Sequence, residues 1–176
     1  MTTRDLAEMA IIIALTAVME IIFTNLNLAI FANGGSISIS MIPIILLSLR
    51  RGFKVGFITA LVYGVFQFML PLTVYYLTPV QYLFDYVLPF TVLAFIALLK
   101  LKSPKGIAMG VLFVGLLKYS SHVIAGIAFW GEYAPANFNA VTWSLYYNAT
   151  YSVPSMILSA LLMYLMIGKH SVLLKK

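Results

Sequence analysis

The chain contains no cysteine, so disulfides, thiolate metal sites and cysteine nucleophiles are all excluded. Charge is scarce too: Asp, Glu, Lys and Arg make up 9% of the 176 residues, against roughly a quarter in a soluble domain. Acids are the scarcest, five against eleven basic residues. No glycine-rich nucleotide loop and no paired metal ligands occur, so energy for any active process must come from partners, and no cofactor is implied. What fills the chain instead is apolar. At 62% apolar residues and a mean hydropathy of +1.02, it cannot hide its apolar surface from water, and lipid must solvate the outer faces of its helices. The net charge of +6 is therefore no nucleic-acid signal, and no basic aromatic stripe accompanies it.

The cations are distributed unevenly. Arg4 precedes the first apolar run; Arg50, Arg51 and Lys54 separate the second from the third; Lys100, Lys102 and Lys105 separate the fourth from the fifth; Lys169, Lys175 and Lys176 close the chain. The alternate connections carry none, and Lys118 alone lies inside a segment. Under the positive-inside rule the four ends that carry these ten cations are cytoplasmic. A spanning helix needs about 20 mostly apolar residues. Six candidates meet or approach this: Leu6 to Leu26, Ser38 to Leu49, Phe53 to Leu70, Pro79 to Leu99, Gly106 to Trp130 and Phe138 to Ile167. An even number of spans returns both termini to one side, and the charges make that side cytoplasmic. The expected fold is an all-α integral membrane protein of six transmembrane helices, one domain over residues 1–176. The first segment lacks a small-residue cleavage site and reads as a retained helix. The second is short and contains Pro43, so a broken or oblique helix is expected there. The outer loops are then Asn27 to Ile37, Pro71 to Thr78 and Gly131 to Asn137; the first, with Asn33-Gly34-Gly35-Ser36, has the turn chemistry of a flap.

Polar residues within spans are costly and normally face a bundle interior or a cavity. Lys118 and His122 share a face of the fifth segment, with Gly126 a turn further on and Trp130 near the outer end. Asp85 lies in the outer half of the fourth, with Gln81 on its face and Tyr82 and Tyr86 beside it. On the sixth, Ser144 and Asn148 share a face flanked by Trp143, Tyr147 and Tyr151. All fall toward the outer half of the membrane. A carboxylate, an imidazole, an amide and several rings suit a small, flat, nitrogen-rich cation: rings stack, amide and imidazole fix hydrogen bonds, and the acid answers positive charge. Lys118 is placed either to hold Asp85 as a counter-ion or to meet an anionic part of a ligand.

Each residue also has a plainer reading. A single ring near a helix end reads first as part of the interfacial aromatic belt. Asp85 with Lys118 also reads as a structural intramembrane pair, and His122 as a donor to a neighbouring carbonyl. Glu20, midway along the first segment, is as much a structural or partner-facing residue as a pocket one. Asn148-Ala149-Thr150 matches a glycosylation sequon but lies within an apolar span, and His170 sits among the tail lysines as a solvated group. Ala7, Ala10, Ala14 and Ala17 form a small-residue stripe, suited to internal packing or to docking another membrane protein.

Taken together, several stretches resemble the thiamine-specific substrate-binding S-components of energy-coupling factor (ECF) vitamin transporters, over nearly the whole chain. They are Gly34-Gly35-Ser36 through Ile42-Pro43-Ile44, Leu47-Ser48-Leu49-Arg50-Arg51-Gly52, Gln81 through Asp85-Tyr86, Leu117-Lys118-Tyr119 with His122 and Ala125-Gly126, Phe129-Trp130, and Ser144-Leu145 with Asn148-Ala149-Thr150-Tyr151. The resemblance implies a six-helix protein of a prokaryotic plasma membrane that binds thiamine near its outer face. It also implies partners: a transmembrane coupling protein and two ATPase subunits. The family's acidic residue falls on Asp85, its adjacent tyrosine on Tyr86, its lysine on Lys118, its histidine on His122, its pocket tryptophan on Trp130 and its amide on Asn148. Tyr75 and Trp143 match further aromatic positions, and Ala10 and Ala14 match the motif that docks the coupling protein. Asp85 stands where some members carry glutamate, and Gly34 where some carry a stacking tryptophan. Other readings are an S-component for a different small vitamin, or an intramembrane enzyme using His122 and Asp85; the latter lacks any nucleophile or metal set.

Overall fold

The computed structural model describes residues 1–26, 28, 31, 35–71, 78–170 and 174, and among them there is no strand. Six helical segments follow in order: α1 (Thr3–Asn25), α2 (Met41–Arg51), α3 (Phe53–Phe66, continued by a 3₁₀ turn, Gln67–Met69), α4 (Pro79–Leu99), α5 (Pro104–Phe129) and α6 (Ala140–Lys169). Helices α1, α4, α5 and α6 are long and apolar enough to cross a membrane, and Phe53–Met69 is a shorter apolar helix. The six apolar segments read from the sequence thus correspond to six helices, with ends shifted by a few residues.

Local chemistry explains the starts. Thr2 accepts the Asp5 amide at 3.2 Å while Asp5 accepts the Thr2 amide at 2.7 Å, a capping box that satisfies two donors left free by helix geometry. Asn139 and Thr142 form the same box at α6, and Ser103 caps α5 by accepting the Gly106 amide.

Pro43 does not break α2. It lies in the first turn, where a missing amide hydrogen costs nothing, and the helix runs on to Arg51. What keeps α2 from spanning is its length: eleven residues reach about 16 Å of a ~30 Å core. The chain before it, Ser36 to Ile39, has no regular structure, and Ser38 and Ser40 are buried. Such backbone is tolerated at depth only where protein satisfies it. Here the Ser38 amide donates to Ser155 Oγ of α6 at 2.9 Å, and the Ser40 amide to Ser38 Oγ at 3.1 Å.

Helix α2 sits inside the bundle, with Ile44, Ile45 and Leu47 essentially inaccessible, packed among α1, α3, α4 and α6. Gly52, in the left-handed region at φ 86°, makes the tight reversal into α3. At the same end the Arg51 guanidinium grips Glu8 of α1 with two nitrogens, Nε at 2.8 Å from Oε2 and Nη2 on Oε1. Arg4, Arg50 and Asp5 complete this charged network. Helix α1 is otherwise peripheral: Leu6, Ile11, Leu15, Val18 and Ile22 are exposed, as lipid-facing residues should be.

Candidate functional site

The site is built on an irregularity in α4. This helix is a composite of an α turn (Pro79–Tyr82), a π segment (Leu83–Val87), a second α turn (Leu88–Thr91) and a 3₁₀ stretch (Val92–Leu99). Pro89 supplies a cause: it has no amide hydrogen for the Asp85 carbonyl, and its ring would press on that carbonyl in a regular helix. The chain widens instead, and the Leu88 amide reaches back to the Leu83 carbonyl. Neighbours take up the carbonyls of the widened segment. Ser121 of α5 donates to Phe84 O at 2.7 Å, Gln67 to Tyr86 O at 3.0 Å, and Thr91 to Val87 O at 2.7 Å. Gly64 of α3 permits the approach, since a Cβ there would stand 2.8 Å from Val87 Cα.

Asp85 is central to this widened segment. Gln81, fully buried one turn earlier, donates Nε2 to Asp85 Oδ2, and Trp130 donates Nε1 to the same oxygen at 3.0 Å. The other oxygen, Oδ1, faces His122 Nδ1 at 3.6 Å. Side-chain exposure is 17% for Asp85 and 14% for His122, so water screens this carboxylate poorly. Of the two placements open to Lys118, the Asp85 pair is not formed. Lys118 points its ammonium at the ring of Phe90, 3.8 Å from the centroid, while His122 takes the place beside Asp85.

Two further layers surround the acid. In the first, α5 and α6 meet where Gly126 has no side chain; a Cβ there would run into Ser144 Oγ. Ser144 donates to Val123 O at 2.8 Å, and Asn148 donates Nδ2 to Ser144 O at 2.9 Å and to His122 O at 3.4 Å. Asn148 Oδ1 accepts from the Tyr151 hydroxyl at 2.5 Å, and the Tyr151 ring meets His122 edge-on at 5.9 Å. The second layer is aromatic. Phe31 lies stacked on Tyr147 at 5.5 Å and edge-on to Trp143 at 5.3 Å, with Phe138 and Tyr146 completing the cluster. Tyr147 connects it to Tyr151 at 6.3 Å. Tyr86 stacks on Tyr82 at 4.9 Å along α4.

The structure therefore brings together Asp85, His122, Trp130 and Gln81, sets Asn148, Gly126 and Tyr151 beside them, and puts Trp143 in the adjoining aromatic cluster. Tyr75 and Gly34 lie outside the described residues. Ala10 and Ala14 are exposed on α1, with Ala7, while Ala17 turns inward. Phe31 was not singled out from the sequence, although it is the only aromatic residue of the first outer loop. Two surface grooves, one bordered by Ser103 and Lys169 and one by Leu61, Phe68 and Tyr82, lie away from Asp85. Among the described residues no group of His, Asp and Glu is arranged to hold a metal ion.

The model of a family described as thiamine transporter protein matches residues 6–175. The thiamine transporter ThiT of Bacillus subtilis (strain 168) is 35% identical over 182 residues, covering 97% of this chain and 93% of that protein. ThiT of Lacticaseibacillus paracasei is 30% identical over 133 residues, covering 68% and 66%. Among solved structures, ThiT from Listeria monocytogenes superposes with a TM-score of 0.83 at 26% identity, covering 98% of this chain and 97% of that one. These are transport proteins and not enzymes. With a match spanning nearly every residue and four helices long enough to cross a bilayer, the chain belongs to the thiamine transporter protein family, as a multi-pass membrane protein of bacteria.

Proposed function

We propose that this chain is the thiamine-binding subunit of an ECF-type transporter, a single six-helix membrane domain with both termini in the cytoplasm. It captures thiamine from the outer face. A transmembrane coupling protein, docked along Ala10 and Ala14, and two ATPase subunits then drive uptake. The observation that carries the reading is the Asp85 carboxylate, poorly screened and held by Gln81, Trp130 and His122 within reach of aromatic rings. A thiazolium needs a negative charge and a π face; an aminopyrimidine needs directional hydrogen-bond partners and a ring to stack on. Asp85 answers the first need, Tyr86, Trp130, Trp143 and Tyr75 supply rings, His122 and Asn148 fix hydrogen bonds, and Gly126 and Lys118 complete the walls.

Both tryptophans, Trp130 and Trp143, belong to the proposed site, so their fluorescence reports on it directly. Titrating thiamine into the purified protein should quench that emission saturably. Competition by riboflavin, biotin or pyridoxine but not by thiamine would transfer the assignment to another vitamin, and no saturable response to any of them would sink it.

A further inference from the structure

The groove where α5 begins and α6 ends has a chemistry of its own. It encloses about 280 Å³ between Pro104 and Lys105 on one side and Tyr164, Leu165, Gly168 and Lys169 on the other. Ligand clefts start at roughly 300 Å³, whereas a partner helix about 10 Å across needs more than this for a single turn. Among the described residues neither lysine has an ion pair. A Cβ at Gly168 would meet nothing within 4 Å, so the space beside Tyr164, one turn back, is open.

The borders of the groove change character along the bundle. Lys105 and Met109 share a face of α5 at a spacing of four, and Lys169, Leu165 and Leu161 share one of α6. Met109, Leu161 and Leu165 are exposed, as lipid-facing side chains are. Deeper in, Gly115 of α5 lies against Met156 of α6, so the two helices stay side by side. On both borders a cation at the helix end gives way within one turn to apolar surface.

We propose that this groove binds one anionic phospholipid, its phosphate between Lys105 and Lys169 and its acyl chains along Met109, Leu161 and Leu165. Tyr164 supplies an amphipathic ring at the depth where such rings sit. The lipid brings both the negative charge that the lysines lack and the tails that the exposed aliphatic faces require. A zwitterionic lipid would set its own ammonium against the lysines, and a soluble phosphate would leave the apolar borders uncovered. On the proposed topology this end meets the cytoplasmic leaflet, where anionic lipids are drawn to basic pockets between helices.

Native mass spectrometry of the purified full chain tests the site, with dioleoylphosphatidylglycerol and dioleoylphosphatidylcholine offered together in detergent. The measurement needs neither the thiamine reading nor the orientation. The unmodified chain should retain one phosphatidylglycerol in preference; no preference would leave the cations to a protein partner and overturn the proposal. Joint Lys105→Gln and Lys169→Gln replacement should lower the ratio of bound lipids on the order of tenfold, the worth of two cations near an anionic head group. Gly168→Leu keeps every charge and enters open space, so it should lower the ratio by filling the groove while the melting temperature holds. It carries the test if the double variant does not fold. Lys102→Gln, at the same end but outside the groove, should leave the ratio as it is. An equal loss in Lys102→Gln, or full preference in both groove variants, would show diffuse charge attraction and overturn the site. Displacement of the lipid by glycerol phosphate at equal concentration would assign the groove to a soluble phosphate and overturn the lipid assignment.

Discussion

Asp85 combines low exposure with hydrogen-bond donors from two directions, Gln81 on its own helix and Trp130 at the end of α5. Replacing it with Asn keeps the shape but removes the charge and sets an amide against the Gln81 and Trp130 donors. If thiamine binds through this charge, Asp85→Asn should cost about 2–5 kcal/mol of binding free energy, the range for a desolvated charge partner. Calorimetric or fluorescence titration measures this; a loss below tenfold would mean that the rings carry the affinity. Ser121 matters differently, because it touches the backbone of the site and not the proposed ligand. Its hydroxyl satisfies the Phe84 carbonyl in the widened turn, and a buried carbonyl left alone costs about 1–3 kcal/mol.

Among the elements, α4 decides how the acid is aimed. Restoring an amide with Pro89→Ala lets α4 wind regularly, which turns Asp85 away from His122 and Trp130. Thiamine affinity should then fall by about tenfold or more, while the melting temperature in detergent stays close to that of the parent. A large loss of stability with affinity intact would show that the π segment serves packing alone. The widened turn was hidden in the sequence, since Leu83-Phe84-Asp85-Tyr86-Val87 has the composition of an ordinary apolar helix and its geometry depends on donors arriving from α3 and α5. By contrast the six segments were legible, because twenty-residue apolar runs and the flanking cations report the bilayer directly. The faces of α5 and α6 were legible too: Lys118, His122 and Gly126, like Ser144 and Asn148, keep helical spacing whatever the neighbours do. Which partner each side chain chose was not. The sequence named Lys118 as a possible counter-ion of Asp85, whereas in the fold Lys118 lies over Phe90 and His122 faces the acid.

For the molecule as a whole, the charges predict a direction in the membrane through the positive-inside rule. The Glu8–Arg51 network joins α1 to the α2–α3 turn, and Lys105 and Lys169 border one groove, so cations distant in sequence share one end of the bundle. The lack of cysteine makes the orientation easy to measure, because any introduced thiol is the only one. Glu132→Cys, between α5 and α6, should react with a membrane-impermeant maleimide in intact cells. Lys102→Cys, between α4 and α5, should react only after permeabilisation. The reverse pattern would invert the topology and place the Asp85 cluster near the cytoplasm.

Tyr151 makes the site able to announce its contents. Its ring borders His122, its hydroxyl is tied to Asn148, and Gly35 comes so close that a Cβ there would lie 2.6 Å from the ring. With its hydroxyl bonded to Asn148 and Gly35 against its ring, Tyr151 is held from two sides. On the proposed reading, a guest that shifts the ring would break the Asn148 bond or press on Gly35, and occupancy would become a change of surface shape that partner subunits sense without touching the guest.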